Sequence, residues 1–210
     1  MGIRERKERE KKARRRAILE AAKAVFFERG FMGSTMDQIA KKAEISKGTL
    51  YLYFPGKEEL YVSILLEGLE LLHARFKEAV KGAVTWEDQL RRIGRAYYRF
   101  YLEHRPYFKI LFLLHHGELA SSVSQDLFLQ CDRQGMACLE YVAEAIREGI
   151  SKGALVDQDP MDLALLTWGS FNGIVLLLEE EEHRKFFQSP PDQVIQAGME
   201  LILRGLRKGT

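Results

Sequence analysis

Apolar residues recur along this chain at the three- and four-residue spacing of amphipathic helices, and the pattern predicts nine helices. The first runs from about Ala13 to Gly30, and glycine is a residue at which helices often end. Capping signals begin the next two, first Thr35 with Gln38 three residues later and then Ser46. Because no segment alternates with the period of a strand, the sequence predicts an all-α fold.

Six further helices are predicted after Pro55–Gly56, which interrupts the chain. They begin near residues 57, 85, 106, 122, 160 and 190. Three of these starts fall at or beside a proline, which the first turn of a helix accommodates. The longest apolar stretch, from Leu163 to Leu178, contains polar interruptions and is short for a bilayer span of about 20 residues, so we expect a buried helix there and no membrane partner.

Charge is distributed unevenly in a chain whose net charge is only +2. Residues 1–60 carry 15 lysines and arginines against 9 acidic residues, whereas the rest of the chain carries 17 against 21. Residues 1–12 combine dense charge with almost no apolar side chain, and we expect a basic arm that is disordered without a partner. A basic segment joined to a mildly acidic body indicates that only the first part meets a polyanion.

Composition narrows the class of protein further. The charged N-terminus has no apolar segment after it, so no secretory signal is expected. Two cysteines, Cys131 and Cys138, form no disulfide framework and suit a reducing cytoplasm. The chain contains no phosphate-binding glycine loop, HExxH pair or GxSxG elbow, and we therefore expect neither an enzyme nor a cofactor.

Residues 35–54 predict two short helices joined tightly around Glu44–Ile45, the arrangement of a helix-turn-helix. Ala40 and Ala43 are small enough for the two helices to approach closely. The predicted buried wedge consists of Ile39, Ile45 and Leu50. The second helix is expected to present Lys47, Thr49, Tyr51 and Tyr53 outward, with Gly48 admitting a phosphate close to the backbone.

The segment TMDQIAKKAEISKGTLYLYF, residues 35–54, closely resembles the DNA-binding signature of the TetR/AcrR family of transcriptional regulators. The preceding FERGF (27–31) and the following KEEL (57–60) are similar to the end of that family's first helix and the start of its fourth. The resemblance is specific from about Ala13 to Leu65. Beyond that, only the helical layout and the length match.

The resemblance implies a set of DNA contacts. Thr35 and Tyr53 should contact phosphates, and Lys57 should anchor a phosphate from a helix N-terminus. Base edges or nearby phosphates should be reached by Lys47, Thr49 and Tyr51, with Gly48 beside them.

The resemblance also implies a homodimeric, cytoplasmic regulator that binds a pseudo-palindromic operator in double-stranded DNA. Residues 1–56 would form the DNA-binding domain, and residues 57–210 would bind an effector and dimerise. The default function is a repressor released by a small molecule. Two alternatives stay open. One is an activator of the same fold, and the other, in a different class, is a helical small-molecule-binding protein or enzyme.

The last two long helices are the candidates for the dimer contact. The first of them is apolar nearly all round, and the residues concerned are Leu163, Leu166, Gly169, Phe171, Gly173, Leu176 and Leu177. The second has an apolar stripe with small residues at Val194, Ala197, Gly198, Leu201, Ile202 and Gly205. The resemblance implies a four-helix bundle with a second copy, and the alternative is a core within one chain.

Aromatic residues with a few polar groups among them are concentrated in the middle helices, which is typical of a pocket for a small, largely apolar effector. The expected lining is Tyr97, Phe100, Tyr101, Phe108, Phe112, His115, Phe128, Cys131, Trp168 and Asn172. The alternative is an ordinary hydrophobic core.

Two other kinds of site are disfavoured. The adjacent His115 and His116 point in different directions on a helix, and Cys131 and Cys138 lie two turns apart, so no metal site is expected. A membrane-surface role for the basic first helix lacks support, because its other face is rich in alanine and has no bulky apolar anchor.

Overall fold

In the computed structural model, which describes residues 2–112 and 122–209, the chain forms ten α-helices. They are α1 (Ile3–Arg29), α2 (Met36–Lys42), α3 (Lys47–Tyr51), α4 (Lys57–Ala79), α5 (Trp86–Glu103), α6 (Arg105–Phe112), α7 (Gln125–Ser151), α8 (Pro160–Glu179), α9 (Glu181–Arg184) and α10 (Pro191–Leu206). The predicted all-α fold is confirmed. Of the helices in this described part, only the single turn α9 was not predicted.

The capping signals in the sequence lie where helices begin and end. The Thr35 hydroxyl accepts a hydrogen bond from the Gln38 backbone N–H at 3.3 Å, and the Gln38 side chain accepts one from the Thr35 N–H at 2.9 Å. Ser46 Oγ caps α3 by accepting from the Thr49 N–H at 3.1 Å. α1 ends before Gly30, whose φ of +69° is a conformation that side chains disfavour.

The start of α1 differs from the expectation. The helix begins at Ile3, within the segment expected to be disordered, and not near Ala13. The Glu5 carboxylate accepts a hydrogen bond from the Gly2 N–H at 3.0 Å, and Arg6 pairs with Glu10 one turn later at 2.8 Å. Arginine, lysine and glutamate are strong helix formers, so a segment with nothing to bury can still be helical.

The chain divides into two compact units. The first comprises Met1–Gly68 with Pro106–Asp132, and the second comprises Leu69–Arg105 with Arg133–Thr210. The boundary between these compact units falls inside α4, and the division into a DNA-binding domain of residues 1–56 and an effector-binding domain of residues 57–210 stays a prediction. Leu60 and Ile64, in the first turns of α4, are fully buried.

The core of the first unit is built on one face of α1. Buried there are Ile18, Ala22, Val25 and Phe26, together with Ile39 and Ala40 of α2, Leu50 of α3, and Phe54. Tyr61 of α4 packs edge-on against Phe26 at 5.6 Å between ring centroids, and its hydroxyl donates to the Ile110 carbonyl oxygen of α6 at 3.3 Å. α1, α4 and α6 thus support the short helices α2 and α3.

The second unit packs α5 against α8 and α10. Gly94 of α5 permits this contact, because a methyl group there would overlap Met199 and touch Phe171. Gly198 of α10 similarly faces Ile174 of α8 within the same chain.

Within one chain helix α8 is buried on one side only, and burial of its other side by a second copy stays a prediction. Its inward residues are Leu163, Ala164, Phe171, Val175 and Leu178. On another face Leu166, Gly169, Ser170 and Leu177 are exposed. Among the described residues, α8 alone is long and apolar enough to cross a membrane by length and composition, which is weak evidence for a span, and 28% of its most apolar window is buried within the chain.

Both cysteines lie in α7 as buried thiols. The Sγ atom of Cys131 is 3.6 Å from the Val62 carbonyl oxygen in the first unit. The Sγ atom of Cys138 is 3.7 Å from the Leu69 carbonyl oxygen in the second.

Candidate nucleic-acid interface

The turn between α2 and α3 fixes the helix-turn-helix. Glu44 has a φ of +55°, and its N–H donates to the Lys41 carbonyl oxygen at 3.2 Å. The Ile45 N–H donates to the Ala40 carbonyl oxygen at 3.0 Å. These two bonds form a Schellman motif, which ends α2 and redirects the chain.

The predicted wedge holds the two helices together. Ile39 and Leu50 are fully buried, and Ile45 is half-buried beside them. With these side chains inward, the opposite side of α3 is left facing solvent.

The residues predicted to contact DNA lie on this outward surface to different degrees. Thr35, Lys47, Gly48 and Tyr51 are exposed, whereas Thr49, Tyr53 and Lys57 are half-buried. Tyr51 keeps 46% of its surface exposed, which is high for a large aromatic side chain in a folded domain. Hydroxyl, ammonium and backbone N–H donors are therefore concentrated on one side of α2 and α3.

Two of these residues already have partners in the helix-turn-helix. The Lys47 ammonium forms an ion pair with the Asp37 carboxylate of α2 at 2.7 Å, and this hydrogen bond raises the pKa of Lys47. The Thr49 hydroxyl lies 2.8 Å from Ser46 Oγ. Both members of the ion pair are well exposed, so a phosphate can replace the carboxylate at little cost.

Lys57, which was predicted to contact a phosphate, also forms hydrogen bonds within the protein. Its Nζ donates to the carbonyl oxygens of Phe31 at 3.2 Å and Ser34 at 3.4 Å, and it lies 4.4 Å from the Phe31 ring centroid. The ammonium thereby braces the loop between α1 and α2. It has a third N–H, so a phosphate contact by Lys57 stays a prediction.

Two residues beside this surface were missed by the sequence analysis. Leu52 directly follows α3 and is 82% exposed, between Tyr51 and Tyr53. The sequence contained a signal for this exposure. Leu52 lies midway between Leu50 and Phe54, which are four residues apart and buried, so it lies on the opposite side of the helical turn and points away from the core. The Arg15 guanidinium lies 4.6 Å from the Phe54 ring centroid, which brings α1 to the end of α3.

The residues predicted to line an effector pocket fall into both units, and three of them meet in the second. The Tyr97 hydroxyl donates to the Asn172 side-chain oxygen at 2.8 Å, and the Trp168 side chain hydrogen-bonds to Tyr97. Burial raises the pKa of Tyr97 well above its ordinary value, against the opposing effect of Trp168. We call Tyr97, Asn172 and Trp168 the polar trio.

The remaining predicted pocket residues are distributed as follows. In the second unit Phe100 and Tyr101 are buried, and the Tyr101 hydroxyl donates to Glu179 Oε2 at 2.7 Å. In the first unit Phe108 and Cys131 are buried and Phe128 is half-buried. The side chain of Phe112 and residues His115 and His116 lie outside the described residues.

A groove of about 810 Å³ runs along the packed pair α8 and α10 in the second unit. Its lining is largely apolar and includes Leu166, Ile174, Leu177, Val194 and Leu201. Leu166 is 63% and Leu201 75% exposed, although both are large apolar side chains. Within residues 2–112 and 122–209, no three histidine, cysteine or acidic side chains come together as metal ligands would.

Comparison with known proteins identifies the family. Residues 18–64 match the family model described as bacterial regulatory proteins, tetR family. Residues 90–202, more than half of the chain, match the model described as tetracyclin repressor-like, C-terminal domain. The chain belongs to the TetR family. This TetR-family protein is therefore a transcriptional regulator that binds DNA through the helix-turn-helix of α2 and α3.

Individual relatives agree with this assignment. The uncharacterized HTH-type transcriptional regulator YhgD of Bacillus subtilis (strain 168) is 31% identical over 147 residues, which is 70% of this chain and 74% of that protein. The HTH-type transcriptional regulator RutR of Escherichia coli (strain K12) is 29% identical over 161 residues, 75% of this chain and 72% of that protein. Among solved structures, the TetR family transcriptional regulator PfmR of Thermus thermophilus has a TM-score of 0.65 at 26% identity, covering 91% of this chain and 99% of its own.

Proposed function

We propose that this TetR-family regulator represses transcription by binding a pseudo-palindromic operator as a homodimer, and that a small, largely apolar effector releases it. The observation that carries the proposal is the outward surface of α2 and α3, with Lys47, Gly48 and Tyr51 exposed. A helix that presents donors in this way fits the major groove of DNA. The protein would act in the cytoplasm, where bacterial operators lie.

The proposed contacts follow from the exposure of each group. Tyr51 and Lys47 would face base edges, with Thr49 beside them and Gly48 allowing close approach of the backbone. Thr35 accepts a hydrogen bond through its oxygen and retains its proton, which it can donate to a phosphate. Tyr53 and Lys57 would contact phosphates on the flanks of the same site.

A second copy of the chain is the proposed occupant of the groove between α8 and α10. The exposed Leu166 and Leu201 would be buried there, and the open space around Gly173 and Gly205 would admit a helix closely. Burial of such an apolar surface is the main driving force for association. A two-fold axis through this contact is compatible with half-sites about 34–36 Å apart on DNA.

The proposed effector site is centred on the polar trio. The Tyr97 ring packs against the rings of Phe76 and Phe171, and its hydroxyl donates to Asn172, so aromatic surface and a few hydrogen-bonding groups lie together. That combination favours a small molecule that is largely apolar with one polar function. Of the other predicted lining residues, Phe100 and Tyr101 lie in the same unit as the polar trio and remain part of the proposal.

Selection of duplexes from a random pool by the purified protein tests the DNA part of this function. We expect a two-fold symmetric sequence with half-sites about one helical turn apart, bound with steep salt dependence. Selected duplexes without symmetry, or no enrichment at all, would overturn the proposal.

Native mass spectrometry of the purified protein tests the effector part. A bound small molecule should weaken operator binding, and a coupling of about 1–3 kcal/mol corresponds to about a 5–150-fold loss. A reporter placed behind the selected operator distinguishes repression from activation. Equal effector affinity for the free and the DNA-bound protein would overturn release by a ligand.

A further inference from the structure

The first turns of α1 form an exposed helical extension of unusual composition. Residues 4–17 are exposed, and they contain nine lysines and arginines against three glutamates. Within residues 4–29 of this helix, apolar side chains are buried only from Ile18 onward. The extension is therefore an exposed and strongly charged surface.

The charges of this extension are arranged along a helix face. Residues Ile18, Ala22 and Val25 define the face of α1 that packs into the first unit, at spacings of four and three residues. The same face continues toward the N-terminus at positions 15, 11, 7 and 4, where the residues are Arg15, Lys11, Lys7 and Arg4. One face of α1 thus changes from apolar to uniformly basic, and we call these four residues the basic face.

The basic face begins beside the DNA-binding surface. The Arg15 guanidinium lies over the ring of Phe54, 4.6 Å from its centroid, and Phe54 is three residues beyond the end of α3 and directly after Tyr53. From Arg15 to Arg4 a helix extends about 16 Å at 1.5 Å per residue. Duplex DNA carries about one phosphate per 1.7 Å of its axis, so a row of cations of this length can face several phosphates.

We infer that the basic face of α1 is a second DNA-binding element, which contacts the phosphates of duplex DNA flanking the sequence read by α3. The inference rests on the proposed function, because it places the extension beside an α3 that is bound to DNA. The contact is with the sugar–phosphate backbone and is independent of base sequence, because flexible ammonium and guanidinium groups on an exposed helix recognise charge. This contact would increase the length of duplex that the protein covers on each side of the sequence read by α3.

The test compares two triple variants of the full-length protein with equal charge. The first removes three of the four cations of the basic face through Arg4→Gln, Lys7→Gln and Lys11→Gln, and it keeps Arg15 because that residue contacts Phe54. The matched control removes three cations from the other sides of the same segment through Arg6→Gln, Arg9→Gln and Lys12→Gln. Glutamine is a good helix former, and circular dichroism checks that both variants keep the helix content of the wild type.

Affinity is measured for two duplexes built on the sequence that the wild-type protein selects from a random pool. One contains the selected sequence alone, and the other adds about ten base pairs, one helical turn, of unrelated sequence on each side. We expect the wild type to bind the flanked duplex about tenfold or more tightly than the short one, whatever the flanking sequence. The basic-face variant should lose this gain and keep its affinity for the short duplex, whereas the control variant should keep most of the gain.

The salt dependence gives an independent measurement on the flanked duplex. The basic-face variant lacks three cations in each copy of a dimer, so its log–log slope should be shallower by up to about 5. Equal losses in the two variants, or a gain from the flanks that neither variant loses, would overturn an oriented DNA contact while leaving the helix-turn-helix function intact. The same proteins are also tested on anionic phospholipid vesicles. If the wild type binds the vesicles, only the basic-face variant loses this binding, and its DNA affinity is unchanged, the face is a membrane contact and the inference is overturned. Failure to select any duplex would overturn the proposed function together with the inference.

Discussion

Glu44 holds a backbone conformation that glycine adopts at lower cost, and it does so at the turn on which the helix-turn-helix depends. Its φ is +55°, whereas residues with a side chain prefer negative values, and the difference costs about 1–2 kcal/mol. Two backbone hydrogen bonds, to the carbonyl oxygens of Ala40 and Lys41, hold the turn in place. The strain is therefore local and offset by the surrounding geometry.

Substitution of this residue should change stability in opposite directions. Glu44→Gly should raise the free energy of unfolding by up to about 1 kcal/mol, because relief of strain exceeds the added freedom of the unfolded chain. Glu44→Val should lower it by at least about 1 kcal/mol, since a β-branched side chain tolerates positive φ poorly. Urea unfolding followed by circular dichroism measures both. A stabilising valine would contradict the assigned turn.

The Lys47–Asp37 ion pair predicts a second pair of opposite effects, now on DNA binding. Lys47→Gln should weaken binding to the selected operator and make the salt slope shallower by about 0.9 for each phosphate that the ammonium neutralises. Asp37→Asn should strengthen binding, because it frees the ammonium and removes a negative charge from the DNA side. Fluorescence anisotropy over a salt series distinguishes the two. Equal weakening by both variants would mean that the pair positions Lys47, and our account would be wrong.

Residue-level features were predictable where they are local. Thr35 with Gln38 and Ser46 with Thr49 are capping pairs three residues apart, so the sequence contains both partners side by side. The position of Lys57 was not predictable in this way. Its carbonyl partner on Phe31 lies 26 residues earlier, and only the folded chain brings the two together.

At the scale of elements, a partly buried ionic cluster joins α1, α4 and α6 within the first unit. Lys23 Nζ donates to Glu67 at 3.0 Å, Glu20 at 2.6 Å and the Tyr107 hydroxyl at 3.3 Å. Burial alone would lower the pKa of Lys23, but the hydrogen bonds to Glu20, Glu67 and Tyr107 outweigh it and raise the pKa. The cluster thus favours the charged ammonium.

Glu67→Gln tests this cluster, because glutamine keeps the size of the side chain and loses its charge. We expect a loss of about 1–2 kcal/mol in the free energy of unfolding. Since the folded pKa of Lys23 is raised, its contribution is complete below the pKa of a lysine in the unfolded chain, about 10.4, and is lost only as the pH rises through the folded value. The difference between wild type and variant should therefore stay constant between about pH 7 and 9.

A loss that varies over this range would contradict the role assigned to Lys23. Glu70→Gln, on an exposed position of the same helix, is the matched control and should change stability by less than about 0.5 kcal/mol.

Helix boundaries show what apolar periodicity omits. The pattern predicted the start of α1 near Ala13, because the first apolar residues of the periodic face lie beyond it. The structure extends the helix to Ile3, and residues 4–12 of the added segment are exposed and form local pairs such as Arg6–Glu10. A helix stabilised by local propensity and charge leaves no hydrophobic signal.

At the scale of the whole molecule, α8 and α10 carry apolar residues beyond those that one chain buries. Two glycines on these helices differ in surroundings, which separates folding from dimerisation. A side chain at Gly198 would overlap Ile174 of the same chain, whereas Gly173 has open space around it. The two positions are therefore not equivalent tests of the dimer.

Gly173→Asp should give a folded monomer with much weaker operator binding. The charge would enter the proposed contact between copies, where an unpaired carboxylate costs several kcal/mol. Gly198→Asp should instead lower the melting temperature, because it disturbs the packing of α8 on α10 inside one chain. Analytical ultracentrifugation with circular dichroism measures both. An intact dimer of the Gly173 variant would show that the contact lies elsewhere.

The sequence could not distinguish these two kinds of burial. Apolar residues nearly all round α8 predicted a buried helix. The same pattern arises whether a face of the helix is buried by the same chain or by a second copy. The structure divides them, with Phe171 and Val175 inward and Leu166 outward. The units likewise divide within α4 at Gly68, although Pro55–Gly56 was the stronger local signal.

The two buried thiols of α7 have a practical consequence for measurement. Burial raises the pKa of Cys138 to about 12, and Cys131 is similarly enclosed, so neither thiol should react with a maleimide dye at neutral pH. A cysteine introduced at Met32, which is exposed beside the helix-turn-helix, would then be labelled selectively without removal of the native ones. Energy transfer between dyes on the two copies of a dimer would report the distance between the two helix-turn-helix motifs directly, with and without a candidate effector.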